Sequence, residues 1–271
     1  MAISLSSLRQ NERKPPRILI YGGEGCGKTT FAICEHAPKV PESPPGAARP
    51  GVVVIQTEDG LGDINCPAFP LSKSYEEIEE AMGALYSEDH DFNTLVLDSL
   101  DWLEPLVWNY TCRQHGWENL ETPGYGKGYL AADDVWRRFF SGINALRDEK
   151  GMTIILIAHQ QIVRIEDPEL PAYDSADIKL HKRASAIANE YTDVILRATI
   201  KTTLTRDPSA KKADKDARQL AVGTGQRVIT TQPRPGAKAK NRYHLPAELP
   251  LDWSAFAAAM AASLNRKPES N

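Results

Sequence analysis

Gly22-Gly23-Glu24-Gly25-Cys26-Gly27-Lys28-Thr29 fits the spacing G-x-x-x-x-G-K-[ST], and its flanks decide what it means. Residues 17–21 upstream form a short apolar run of strand type, and from near Lys28 onward the sequence suits a helix. A strand, a glycine-rich turn and a helix N-terminus in that order make a cradle for phosphate. Little side-chain bulk lets backbone amides wrap an anion, and the helix end adds partial positive charge. In this frame Gly22 through Thr29, with Thr30 beyond them, surround the phosphates of ATP or GTP. Lys28 neutralises the β- and γ-phosphates, and the Thr29 hydroxyl ligates Mg²⁺.

Working outward, four more runs of strand type follow, at Val52–Gln56, Thr94–Asp98, residues 153–158 and residues 193–200, with helical stretches between them. They are continuously apolar rather than alternating, as parallel strands covered on both faces are. The expected fold is α/β, a mainly parallel sheet flanked by helices. Between the third and fourth of the five runs, Val135, Trp136, Phe139, Phe140, Ile143 and Leu146 share one helical face. That stripe reads as core, and the helix should end near Gly151. Residues 41–50 are Pro-rich and read as a surface connection. Residues 227–231 form another β-type run, and Asp252 or Ser254 should cap an Ala-rich helix running to about Leu264. No internal repeat or second core is visible. The expected organisation is an N-terminal tail over 1–16, one domain over 17–251, and a C-terminal helix and tail over 252–271.

Asp98 stands at the C-terminal end of an uncharged strand, where ligands of parallel sheets bind, and fits a carboxylate that orients Mg²⁺ or a metal-bound water. Composition sets broader bounds. At 271 residues, 41% hydrophobic and 25% charged, the chain can bury a substantial core. No run of about 18 apolar residues could span a bilayer, and no secretory signal opens the chain, so the expected address is the cytoplasm. The four cysteines lack C-x-x-C spacing and read as reduced thiols. Charge is unevenly distributed. Residues 201–242 hold eleven Lys or Arg against three acids, a net +8, which leaves −12 on the rest of a chain whose total is −4. A basic segment on an acidic body suits a polyanion held at one face. Residues 207–218 of that segment read as a mobile hairpin arm.

Three further features carry a family resemblance. The second strand continues Gln56-Thr57-Glu58-Asp59-Gly60-Leu61, the fourth ends His159-Gln160-Gln161, and near the C-terminus stands Ala239-Lys240-Asn241-Arg242-Tyr243. Together with the phosphate loop, Asp98 and the stretch Lys179-Leu180-His181-Lys182, the span from about 17 to 251 resembles RecA/RadA-type ATPases, most nearly the phage-encoded single-strand annealing recombinases. The resemblance implies a RecA-like P-loop core with a C-terminal β-hairpin extension. It casts Glu58 as the base that polarises the attacking water, and His159 or Gln160 as the sensor of the γ-phosphate. Lys240 and Arg242 become cations reaching a neighbour's ATP.

It also implies an ATP-dependent, DNA-stimulated recombinase working as a homo-oligomer, ring or filament, with ATP at the protomer interfaces. Single-stranded DNA is the expected partner, a single-strand-binding protein a further one, and the host cytoplasm the address if the chain is phage-encoded. DNA would meet two loops, 116–128 with Trp117, Tyr125 and Lys127, and 163–182, whose contacts with their flank would be Arg164, Lys179, Lys182 and Arg183. A helicase-like or helicase-loading motor and a P-loop switch that acts on a protein remain the alternatives. The chain departs from bacterial RecA in being shorter, with no sizeable C-terminal domain and no clear N-terminal oligomerisation helix.

Overall fold

A computed structural model of the protein describes residues 12–36, 46–206 and 219–265. The arm at 207–218, part of the Pro-rich connection, most of the N-terminal tail and the last residues expected as tail lie outside the described residues.

The phosphate loop follows strand β1 (Arg17–Gly22) and leads into helix α1 (Lys28–Ile33). Next come β2 (Val52–Gln56), α2 (Tyr75–Ser87), β3 (Thr94–Asp98), α3 (Leu100–His115) and α4 (Lys127–Glu149). They are followed by β4 (Thr153–Ile165), β5 (Tyr173–Ile178), α5 (Lys182–Tyr191), β6 (Val194–Arg206) and β7 (Gln219–Thr230). The chain closes with β8 (Lys240–Asn241), β9 (Glu248–Pro250) and α6 (Trp253–Leu264). The sheet runs in the order β2-β3-β4-β1-β6-β7-β9. Its first five strands are parallel, and β7 and β9 add an antiparallel edge. This is the α/β arrangement expected from the sequence, a mainly parallel sheet flanked by helices, with the hairpin extension at the C-terminal side.

The continuously apolar runs are explained by two cores, one on each face of the sheet. Leu19, Tyr21, Val53, Ile55, Leu95, Leu97, Ile154 and Leu156 face α2, α3, α4 and α5, where Trp136, Phe139 and Phe140 fill the layer. Their neighbours Ile18, Ile20, Val52, Val54, Val96, Ile155 and Ile157 face α1 and α6, against Phe31 and Phe256. Fully burying one such side chain contributes roughly 1.5–3 kcal/mol, so both faces hold the central strands in register. The register has one covalent requirement: a Cβ on Gly22 would lie 2.4 Å from the Ala198 carbonyl oxygen on β6. Only glycine lets β1 and β6 close at that point. Asp252 supplies the cap of α6, its Oδ1 accepting from Ala255 N at 3.1 Å.

Two expectations are corrected. Residues 163–182 are not a loop, because β4 continues to Ile165 and pairs antiparallel with β5 from Gln160↔Ile178 to Ile165↔Tyr173. The turn between them holds Pro168 and Pro171, which cannot donate to a ladder. The other expected loop is shorter than 116–128, since Lys127 and Gly128 already belong to the first turn of α4. A Cβ on Gly128 would sit 2.0 Å from the Leu120 carbonyl oxygen, so the end of that loop packs tightly on the helix.

Candidate functional site

The C-terminal edges of β1, β2 and β3 and the middle of β4 meet in one cavity lined by Glu24, Gly25, Gly27, Lys28, Thr29 and Thr30 of the loop and α1. Glu58, Asp98 and His159 close one side, and Gly60, Leu61, Asp63, Ile64 and Arg227 complete it. Its volume is about 440 Å³, in the range of small-molecule sites. Of the loop residues, Cys26 turns away: its side chain is buried in the α1-side core, and burial raises its thiol.

Lys28 is buried, and its Nζ donates to the Gly22 and Gly23 carbonyls at 3.2 and 3.0 Å. Thr29 Oγ1 donates to Asp98 Oδ2 at 2.8 Å. The tip of β2 is tied to β3 by Thr57 N and Glu58 N, which donate to the Asp98 carbonyl at 2.8 and 3.3 Å. That pairing places the Glu58 carboxylate beside Asp98. Burial pushes the Asp98 carboxyl up to about 6; the Thr29 hydroxyl pulls it down and the neighbouring Glu58 charge pushes it up again. A buried carboxylate with one hydroxyl donor and a second carboxylate beside it favours a cation there. The donors, one hydroxyl and one carboxylate, suit Mg²⁺, which takes few protein ligands and completes its shell with phosphate oxygens and water.

A family model described as an AAA domain matches residues 14–243. The chain belongs to this AAA-domain family. No curated protein matches it. Solved structures that match include one titled "Crystal structure of the RadB recombinase", with 13% identity and a TM-score of 0.42 over 89% of this chain and 90% of that one. A likeness this distant carries no inference about activity.

In this AAA-domain chain the middle of β4 is anchored by α3. Asp101 accepts from His159 N and pairs with His159 Nδ1, both at 2.9 Å. The Asp101 hydrogen bond raises the His159 imidazole pKa above the ordinary value despite burial. His159 lines the cavity, while the Gln160 amide lies near Gly23, its Nε2 3.9 Å from where a Cβ there would be. Asp101 was not legible as a site residue, because only the first turn of α3 brings its carboxylate back to β4.

The residues expected at DNA have more varied surroundings. Trp117 stacks on His115 with ring centroids 4.3 Å apart, and Tyr125 is fully exposed with φ 51°. Arg164 pairs with Asp174 at 3.3 Å, Lys179 with Asp101 at 3.9 Å, and Arg183 Nε donates to Asp133 at 2.9 Å. The roots of the two segments meet where Tyr129 on α4 stacks on His181, with centroids 4.4 Å apart. Lys182 opens α5 immediately after it.

Lys240 and Arg242 lie at the other edge of the sheet, since β8 pairs with the beginning of β6 through Val194↔Asn241 and Ile195↔Lys240. Lys240 Nζ donates to the Asn189 carbonyl, and Arg242 Nη1 donates to Asp193 at 2.9 Å. Neither approaches the phosphate loop of its own chain. The cation that does is Arg227, which the sequence reading missed. It stands far along the chain in the edge strand β7, and only sheet pairing brings it to the loop.

Among the described residues no helix is long and apolar enough to cross a membrane.

Proposed function

We propose that this chain is an ATP-dependent DNA recombinase or single-strand annealing ATPase, a homo-oligomer that holds single-stranded DNA and promotes its pairing with a complementary strand. The observation that carries the reading is the Thr29–Asp98 hydrogen bond at 2.8 Å, with Glu58 beside it and Lys28 across the same cavity. Those four groups are what hydrolysis of a triphosphate needs. Lys28 and the loop amides would hold the β- and γ-phosphates, and Thr29 and Asp98 would hold Mg²⁺, which would neutralise phosphate charge. Glu58 orients a water in line with the γ-phosphorus and accepts its proton as the bond to the departing ADP oxygen breaks. His159, fixed by Asp101, meets the γ-phosphate from β4 and reports its presence through Lys179, whose backbone N donates to the His159 carbonyl at 2.9 Å.

The DNA half of the reading rests on the net +8 of residues 201–242 and on the meeting of the two expected DNA segments at Tyr129 and His181. Trp117, Tyr125, Lys127, Arg164, Lys179, Lys182 and Arg183 are the proposed contacts. Lys240 and Arg242 are proposed to serve a neighbour's nucleotide, for which they would exchange Asn189 and Asp193 for phosphate. One observation favours the protein-partnered switch instead: Arg164, Lys179 and Arg183 already have acidic partners within the chain.

The test is the ATPase rate of the purified protein with and without single-stranded DNA, over a range of protein concentrations, beside annealing of complementary oligonucleotides. Stimulation that rises cooperatively with concentration, with annealing that needs ATP, is expected, and Lys28→Ala should remove both. A flat, DNA-independent rate sinks the DNA assignment and favours the switch. Directional unwinding of a forked duplex favours a motor.

A further inference from the structure

The Arg227 guanidinium has no hydrogen-bond or ion-pair partner among the described residues, although it lines a cavity that also holds Glu24, Glu58, Asp63 and Asp98. Its guanidinium hangs over the phosphate loop. A Cβ on Gly27, whose φ of 102° excludes most side chains, would lie 3.2 Å from Arg227 Nη1 and 3.4 Å from Leu251 Cδ2. The backbone beneath is fixed, because Leu251 N donates to the Arg227 carbonyl at 3.1 Å and β9 pairs with β7 from Val228 onward. On the other side the ladder is broken. Pairing between β6 and β7 jumps from Ile200↔Arg227 to Thr202↔Gly223, so residues 224–226 bulge out directly before Arg227. Gly225 takes φ 76°, and Thr224 Oγ1 donates to the Lys201 carbonyl at 3.0 Å. Bulges re-aim side chains beside functional sites, and this one presents Arg227 to the loop.

The order of strands says which part of a nucleotide Arg227 meets. Glu58, Asp98 and His159 come from β2, β3 and β4, all on one side of β1, whereas β7 lies on the other side beyond β6. A triphosphate whose γ end faces the carboxylates therefore extends its nucleoside end toward β6 and β7. We infer that Arg227 binds the nucleoside half of the nucleotide, its guanidinium meeting the α-phosphate, from the same chain that supplies the phosphate loop. The inference rests on the nucleotide site proposed above. Arginine suits the position because a guanidinium that is weakly hydrated and always charged can wait beside a loop without a protein partner and still pair with phosphate through two donors.

The experiment is titration of wild type, Arg227→Gln and Lys28→Ala with ATP, ADP and inorganic pyrophosphate in the presence of Mg²⁺, read by calorimetry, with melting curves as the folding control. Arg227→Gln removes no side-chain pair among the described residues, so its melting temperature should match wild type. Its affinity for ATP and ADP should fall about 10-fold, as expected for loss of a charge-assisted hydrogen bond. Its affinity for inorganic pyrophosphate, which fills the β- and γ-phosphate positions and has no α-phosphate, should stay within about twofold. Unchanged ATP affinity in a folded Arg227→Gln overturns the assignment, as does an equal loss for ATP and pyrophosphate, which would put the guanidinium at the β- and γ-phosphates. Wild type that fails to bind ATP, or Lys28→Ala that binds as well as wild type, removes the nucleotide reading itself. The two failures are therefore distinct.

Discussion

At the beginning of β1, Asp193 accepts from Arg17 N, Nε and Nη2 at 3.0, 3.1 and 2.9 Å, and also pairs with Arg147 and Arg242. At the end of the same strand, among the described residues, Lys28 Nζ has only the carbonyls of its own loop, the Arg227 guanidinium has no partner, and Asp98 shares its surroundings with Glu58. One cluster is closed and the other is held open. Burial alone would raise the Asp193 carboxyl, yet the arginines hold it below the ordinary value, whereas burial and a neighbouring carboxylate push Asp98 up to about 6. A buried charge surrounded by opposite charge does structural work, while buried like charges beside unpartnered cations make a site that a ligand completes.

The largest effect should come from breaking the open end. Glu58→Gln should bind ATP with near wild-type affinity while turnover drops about 100-fold or more, the usual scale for a positioned base. Single-turnover kinetics checks this, and unchanged turnover would remove Glu58 from the role. Next comes the closed end. Asp193→Asn leaves three arginines facing a neutral group and should lower stability by about 3 kcal/mol, measured by urea melts, while the folded fraction keeps its ATP affinity. The sign with pH follows from the depressed carboxyl: its stabilisation is present at neutral pH and is lost as pH falls through its lowered pKa. Wild type and Asp193→Asn should therefore converge in acid.

The smallest effect sharpens the contrast with a third carboxylate. Glu104 on α3 is buried, and burial raises it to about 7, although it accepts from His181 N at 2.9 and 3.1 Å. Its neutral form is the one the folded state favours, so that stabilisation is complete below the ordinary carboxylate range and lost as pH rises through 7. Glu104→Gln should match wild type near pH 5 and be more stable at pH 8 by on the order of 2 kcal/mol. Melting at the two pH values measures the difference, and parallel curves would show that Glu104 stays charged throughout.

The open end was largely legible before any coordinates, and the closed end was not. Lys28, Thr29, Asp98 and Glu58 announce themselves because each stands at the tip of an apolar strand or in a loop of fixed spacing, and the parallel sheet then brings the tips together. The motif around Arg242 says nothing of Asp193, which meets it only through the pairing of β8 with β6. The β4–β5 hairpin was missed for another reason. Beyond Ala158 no residue of the strand is buried and its apolar residues, Ile162, Val163 and Ile165, fall on both faces, so neither a continuous nor a one-sided apolar pattern marks it. Arg227 and Asp101 needed long-range pairing and a helix turn, neither of which leaves a local pattern.

The bulge ahead of Arg227 also sets a splice boundary. Inboard of it, Arg197↔Thr230 and Ala198↔Ile229 lock β7 to the sheet; outboard, Thr202↔Gly223 to Arg206↔Gln219 form a separate ladder leading to the basic segment. Two extra residues of slack lie between them, so a change of length beyond Thr202 and Gly223 need not alter the inner register. The outer hairpin is thus an interchangeable attachment, and related chains could carry quite different ones on the same engine.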